Sequence, residues 1–439
     1  MEIRDPVHGS IHILDEEIPI ITHNFFKRLR NIKQLGFSEY IFPGATHTRY
    51  IHSIGVMDIG RRAFEKLFKK YEGTADYLRL KETFKLGCLL HDIGHAPLSH
   101  STESVMPLLS ELQIPKEFLS QQEQQHYRQA THEDYTIKAI ADSSFAESFH
   151  AVENSFGVNR KNVADLIIGR TDDADYFTMD GINYFGVLSQ LVSSELDCDR
   201  MDYLLRDSYF CGVSYGNYDL DWMIDNLDTC IIDDKAYLGI SERAVITFDD
   251  FLLSRYHMFV MVYFHYRAVC LEQLLLKYFR GGNEEYTIPA DIEEYIEHDD
   301  HLLMKVLRNS KNRYAQDVVN NVIPRKIYES FNSDQLINLE KIQQFLQSEE
   351  IEYIRCSSSG RLSKYYSAQE ALTNHKLYVV RSLFPDKQKL YFPIDKATDL
   401  FKKFSESHAI NRIHCDFDKL EARQQKEILK IIESDRNLS

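Results

Sequence analysis

Four residues in a fixed order constrain what this 439-residue chain can fold into: His52, the pair His91-Asp92, and Asp199. They lie in separate apolar stretches whose spacing predicts helices, so a fold that uses them together must bring those helices to one point. Imidazoles suit Fe, Zn or Ni and carboxylates suit Mg or Mn, so the four can close around one divalent metal. An adjacent His-Asp pair is out of place in the otherwise apolar helical run LGCLLHDIGHAPLSH, because burying an unpaired charge is costly. A metal removes that cost. For the pair taken alone, a hydrogen-bonded polar turn is the rival reading.

The apolar periodicity is mostly helical. Phe25, Leu29, Ile32 and Leu35 predict a helix ended by Gly36, and Ile54, Met57, Phe64, Leu67 and Phe68 predict a second. LRLKETFKLGCLLHDIGH predicts a third, carrying the His-Asp pair and broken by Pro97. Residues 104–150 read as helical and polar, with the glutamine-rich run 121–125 on a solvated surface. NVADLIIG and FGVLSQLVSSELDCDRMDYLLRDS read as helices flanking an acidic loop. A strand-like CIIDDKAYLGI then precedes one long aromatic helix from Asp249 to Phe279. IRDPVHGSIHI reads as an N-terminal strand or hairpin, KLYVVRSLF and KLYFPI as a hairpin pair, and SSSG (357–360) as the longest linker. The expected fold class is mainly α: a helical core over residues 1–280 with a short N-terminal β element, and a small α+β region over 281–439.

A net charge of -16, from 51 Lys+Arg against 67 Asp+Glu, argues against a general nucleic-acid or anionic-membrane binder. An anionic substrate therefore needs a local basic pocket. The seven cysteines are dispersed with no CxxC pair and read as reduced thiols, several of them core residues. With no signal peptide and no bilayer-length apolar run, a soluble cytoplasmic protein is expected.

Further chemistry surrounds the metal candidates. His95 follows His91 by one helical turn, His100 lies past Pro97, and His132-Glu133 comes later. Histidines and acids beside a metal supply the proton transfer that phosphate-ester hydrolysis needs. Asp199, Tyr203, and Arg206 or Asp207 recur at helical spacing and share one face. Arg49, one turn before His52, and Arg255 are cations able to clamp phosphate, and Tyr263 and His265 follow Arg255 in the aromatic stretch.

The stretches DPVHG, FKRLRNIKQLG, FPGATHTRYIHSIGV, LLHDIGHAPLSH, THE, LDCDRMDYLLRDSYFCGVSYG and SRYHMFVMVYFH occur in this order from residue 5 to about 270. In that order they resemble the HD-domain deoxynucleoside triphosphate triphosphohydrolases. The resemblance implies an HD-domain helical core and hydrolysis of a dNTP to a deoxynucleoside and inorganic triphosphate. It implies His52, His91, Asp92 and Asp199 as ligands of one divalent metal (Mn, Mg, Fe, Ni or Zn). His100 and His132 would be catalytic, with Glu103 partnering the first and Glu133 orienting the second; His95 joins them by its position. Arg49 and Arg255 would contact phosphates, Gln34 and Leu35 the 3′ side of the sugar, and Asp207 the 3′-hydroxyl. Tyr203 and Tyr263 would pack on the sugar.

The resemblance also implies a homo-oligomer, a tetramer in the family, with residues 281–439 in an oligomerisation or regulatory role. A nucleotide activator belongs to the family's pattern, and the residues that read it depart here. Thr22 and Lys27 stand where an acid and a glutamine read guanine, Tyr266 replaces a lysine, and a further lysine would fall at or before Met1; only Arg30 matches. Two alternatives stand beside the dNTPase reading: an HD-fold nucleotidase acting on other nucleotides, and a non-catalytic nucleotide sensor. A cyclic-dinucleotide phosphodiesterase fits poorly, since His95 stands where that group carries lysine after HDIG.

Overall fold

The computed structural model describes every residue except 121–122, 124–126, 233–234, 282–284, 332, 361–376, 384–388, 399, 401–407 and 436–439. Its main body is helical. Arg49–Phe68 and Ala75–Leu90 form a packed pair, and Cys198–Cys211 crosses the first of them. That crossing is close because position 55 is glycine. A Cβ there would overlap the Asp202 carboxylate and the Arg206 guanidinium. The mainly α class with small β additions holds.

The N-terminal hairpin is as expected, Glu2–Asp5 pairing antiparallel with Gly9–His12. Several helices end sooner than their apolar spacing implies. The first is a short helix, Asn24–Lys27, followed by a tight turn, Arg28–Asn31. From Ile32 the chain runs extended, because Lys33 bridges to Thr48 and the Gln34 amide donates to the His47 carbonyl. Buried Arg28 anchors the turn by donating to the carbonyls of Ile93, His95 and His298.

The His-Asp pair is not inside a helix. Ala75–Leu90 stops at Leu90, and His91 and Asp92 lie in a tight turn closed by Ile93 N to Leu90 O and His95 N to Asp92 O. Residues 104–150 are also less helical than expected. Short turns at Ser99–Val105, Leu109–Leu112 and Lys116–Phe118 precede the helix His132–Ala141. Pro107 and Pro115 interrupt regular pairing, and residues 107–109 bond back to 128–130 instead. Glutamines 121, 122, 124 and 125 lie outside the described residues. The long aromatic helix breaks into Val245–Met258, a wide turn at Phe259–Tyr263, and Tyr266–Arg280, with a bend of 61°. His265 caps the restart, its Nδ1 accepting from the Arg267 amide.

The strand-like passage at 227–241 is a hairpin, Leu227–Ile232 with Lys235–Ser241. Tyr378–Ser382 and Lys389–Pro393 pair as expected and join that hairpin through a parallel pairing of Gly239–Ser241 with Tyr378–Val380, making one four-stranded sheet. The SSSG stretch is not a linker but part of the strand Tyr353–Gly360, which flanks His408–Cys415 in a three-stranded sheet. The main apolar core runs past residue 280, taking in Tyr286, Tyr295, Leu303, Leu307 and Val318. A second small core forms around Leu339, Ile342, Leu346, Ile413 and Ile428. Among the described residues no single helix is long and apolar enough to cross a membrane; only the bent pair Glu242–Tyr263 and Tyr266–Arg280 matches by length and composition.

Candidate metal centre

His52 lies in the first turn of Arg49–Phe68, His91 and Asp92 just past the end of Ala75–Leu90, and Asp199 in the first turn of Cys198–Cys211. The donor atoms of His52, His91 and Asp199 all lie within 4.8 Å of one another. His52 Nε2 is 3.1 Å from Asp199 Oδ1 and 3.5 Å from Asp92 Oδ2. His91 Nε2 is 3.4 Å from Asp92 Oδ1 and 3.6 Å from Asp199 Oδ1. His52, His91 and Asp199 form one cluster, and Asp92 stands beside it, within 3.5 Å of both imidazoles but bound to Arg49.

Both rings are held from behind. His52 Nδ1 pairs with Asp202 Oδ2 at 2.7 Å, and His91 Nδ1 with the Cys88 carbonyl at 2.8 Å. A proton on each Nδ1 leaves each Nε2 as a lone pair aimed at the carboxylates. Those two Nε2 atoms are buried without a hydrogen-bond partner of acceptable geometry. Orphaned buried acceptors are costly, and a divalent ion relieves both at once, so the residues present fit a metal.

The electrostatics agree. Burial opposes charge on His52, but the adjacent Asp199 and Asp202 carboxylates prevail and push its pKa up to about 9. Burial likewise opposes charge on His91, and Asp92 and Asp199 push it up to about 10. Asp92 is drawn down to about 2, its burial outweighed by Arg49 and then His91. A cluster whose carboxylates hold protons this tightly on neighbouring histidines is a cluster that attracts cations.

Behind the ligands runs a buried polar network of which the sequence reading named only Arg206, expected on the Asp199 face but turned instead to Asp202 and Asp5. Arg206 donates to Asp202 at 2.7 Å and to Asp5 at 2.8 Å, and His8 Nε2 pairs with Asp202 Oδ1 at 2.5 Å. Asp5 also accepts the Val7 and His8 amides, so the DPVHG turn is clamped to the helix bearing Asp199. The DPVHG string is visible in sequence, but its partner some two hundred residues away is not.

A second cluster sits beside the first. His95 stacks on His132 with centroids 3.8 Å apart, and His100 approaches both edge-on. Glu103 binds both outer histidines, His132 Nδ1 at 2.5 Å and His100 Nδ1 at 3.2 Å. Glu103 is thus the carboxylate on His132, while Glu133 lines the same cavity, exposed. The two histidines hold the Glu103 carboxyl well below its usual range despite burial. Burial, then Arg49, keep His95 neutral. Gly94 permits the stacking, since a Cβ there would overlap the His132 carbonyl and the Thr136 amide. Leu98 and Ser99 take left-handed backbone (φ 58° and 57°), a strained turn that sets His100.

Arg49 joins the two clusters. It binds Asp92 directly and donates Nε–H to Ser99 at 2.8 Å. One cavity is lined by Gln34, Arg49, His91, Asp92, His95, His100, His132, Glu133, Asp199 and Tyr203 among others. Gln34 Oε1 is buried there with no partner. The remaining candidates stand back. Leu35 packs on the core, Arg255 pairs with Glu195 at 2.9 Å, and Asp207 is held by His47 and the Tyr263 hydroxyl, each at 2.7 Å. Tyr263 meets Tyr203 edge-on at 6.1 Å.

A family model described as "HD domain" matches residues 49–204, and one described as "HD associated region" matches 219–357. The Bacillus subtilis protein YwfO is 33% identical over 276 residues, 62% of this chain and 54% of its own length. Human deoxynucleoside triphosphate triphosphohydrolase SAMHD1 is 23% identical over 367 residues, 78% of this chain and 56% of its own. The chain thus matches little more than half the length of these relatives. A solved structure of a hypothetical protein from Aquifex aeolicus superposes with a TM-score of 0.72 at 25% identity, covering 98% of this chain and 99% of that one. With the candidate ligands brought together inside the first matched region, the chain carries an HD domain followed by an HD-associated region and belongs to the HD dNTPase-like family.

Proposed function

We propose that this protein is a metal-dependent phosphohydrolase that splits a dNTP into the deoxynucleoside and inorganic triphosphate. The observation that carries the reading is the junction at Arg49, where the four-ligand centre and the His95-His100-His132-Glu103 cluster open on one cavity. His52, His91 and Asp199, with Asp92 beside them, would hold a divalent ion, which would supply Lewis-acid stabilisation of phosphate charge and a nucleophile near neutral pH.

The protein's own groups do the rest. Arg49 offers its cation to the phosphate chain. His132, its Nδ1 fixed on Glu103, has Nε2 free to protonate the 5′-oxygen as that oxygen leaves the α-phosphorus. Water adds to phosphorus as the P–O5′ bond breaks, and the proton it releases passes to solvent, from which His132 is reprotonated. Neutral His95, stacked beneath, holds the His132 plane. Tyr203 lines the cavity on the sugar side. A cytoplasmic homo-oligomer, with residues 281–439 at its contacts, belongs to the same reading.

One observation favours a second reading, an HD nucleotidase of other specificity. Asp207 and Tyr263, the sugar-selecting candidates, are absent from the cavity lining: the Tyr263 hydroxyl donates to Asp207, which also pairs with His47. One assay separates the two. Protein loaded with Mn²⁺, then Mg²⁺, is incubated with each dNTP singly and mixed, with and without GTP, and products are resolved by anion exchange. Triphosphate with deoxynucleoside is the expected result, and faster turnover in a mixture identifies an activator. Phosphate or pyrophosphate as the product would leave the nucleotidase; no turnover in any mixture would leave a sensor.

A further inference from the structure

Cys270, Cys356 and His414 are each completely buried, and none lines the cavity described above. Their donor atoms all lie within 4.8 Å of one another. Three elements distant in sequence deliver them: the helix Tyr266–Arg280 and the neighbouring strands Tyr353–Gly360 and His408–Cys415. Cys356 pairs with Arg412, so His414, two residues on, projects to the same face of the sheet, against which the helix packs. The register of His408–Cys415 against its other neighbour shifts between Ile413 and His414, an irregularity of the kind that re-aims a side chain.

The imidazole is set up as a ligand. His414 Nδ1 donates to the Pro324 carbonyl at 3.1 Å, which fixes the tautomer and turns Nε2 inward. That Nε2 is buried with no hydrogen-bond partner of acceptable geometry. An apolar core has no use for such an atom, and leaving it unpaired is costly.

We propose that Cys270, Cys356 and His414 hold a zinc ion that ties the helix Tyr266–Arg280 to the three-stranded sheet of the C-terminal region. Two thiolates and an imidazole suit zinc, with a water completing the tetrahedron. Zinc–sulfur bonds of about 2.3 Å and zinc–nitrogen bonds of about 2.0 Å set donors about 3.3–3.8 Å apart, inside the 4.8 Å within which these donors lie. Charge also balances, because a dication and two thiolates are neutral and tolerate burial that two bare thiolates would not. Coordination releases each thiol proton to solvent and involves no redox step.

Cobalt(II) is a probe that separates this site from the catalytic one, because the catalytic ligands include no sulfur. The full chain is stripped with EDTA, reloaded with Co²⁺ and read by absorption. A thiolate-to-cobalt charge-transfer band with intense tetrahedral d–d bands is expected in the wild-type protein. Cys356→Ser and His414→Gln should each lose the thiolate-linked metal while the nitrogen-and-oxygen-bound cobalt remains. Zinc analysis of an Asp199→Ala chain loaded with Zn²⁺ should find one ion per chain, lost on adding Cys356→Ser. Absence of the charge-transfer band in wild-type protein overturns the proposal. A Cys270–Cys356 disulfide in chain purified with zinc and without reductant overturns it equally.

Discussion

His52 can serve as a ligand only with its Nδ1 protonated and its ring held in one plane, and Asp202 imposes both conditions from 2.7 Å. Asp202→Ala should weaken metal binding by about 10–100-fold, the usual cost of losing a ligand's outer partner. Titration with Mn²⁺ or Co²⁺ measures it, and unchanged affinity would mean that packing alone orients the ring. The metal-free site also predicts a pH dependence. His52 and His91 have folded pKa values raised to about 9 and about 10 from 6.5, so their contribution to stability is complete below pH 6.5 and lost as pH rises through those values. Chelated protein should therefore lose thermal stability above neutral pH, and metal-loaded protein less, since its ligands are already deprotonated. Parallel melting-against-pH curves would show that the pair is not protonated in the fold. At this scale the sequence reveals first contacts and hides second ones. The His-Asp pair and its flanking donors carry a readable order, whereas spacing links only Asp202 with Arg206, one helical turn apart, and nothing in it brings in His8 or Asp5.

Element boundaries follow the same division. Apolar periodicity locates Arg49–Phe68, Ala75–Leu90 and Cys198–Cys211, because each buries a continuous face. It misplaces their ends. The run through LLHDIGH keeps its apolar rhythm past Leu90, yet the backbone tightens there so that His91 and Asp92 leave the helix facing Asp199. The aromatic stretch similarly has no proline or glycine at its bend; it breaks after the wide turn Phe259–Tyr263, and His265 caps the restart. Gly94 is the element-scale hinge of the site, admitting the helix His132–Ala141 against the HD turn. Gly94→Ala must push backbone from backbone, with a typical overpacking cost of about 1–3 kcal/mol. Turnover should fall further than melting temperature, because His132 moves away from the metal ligands, and metal content should stay. A variant that melts lower but turns over normally would show the two clusters to be independent.

On the scale of the molecule, the site depends on residues beyond the matched HD domain. Asp300, the first residue of the helix Asp300–Asn309, reaches back to accept the Leu98 amide at 2.6 Å and the Lys33 amide at 2.9 Å. Those amides belong to the strained turn carrying His100 and to the segment presenting Gln34, both at the cavity. Tyr295 adds a hydrogen bond to the Gly94 carbonyl at 2.9 Å, and Arg28 lies over its ring. No periodicity or motif announces this strap, since Asp300 in sequence is one acid of an acidic stretch. Asp300→Ala would leave two backbone amides without their acceptor, a loss of about 2–4 kcal/mol at the ordinary cost of buried unsatisfied donors. The same loss should appear in catalysis: a lower kcat with metal stoichiometry intact, because the strap acts on the loops and not on the four ligands. Asp300→Asn keeps one acceptor and should fall between the two. If Asp300→Ala melts lower while kcat and KM stay at wild-type values, the strap is structural only. If neither melting nor turnover changes, the HD domain shapes its own cavity without the residues that follow it.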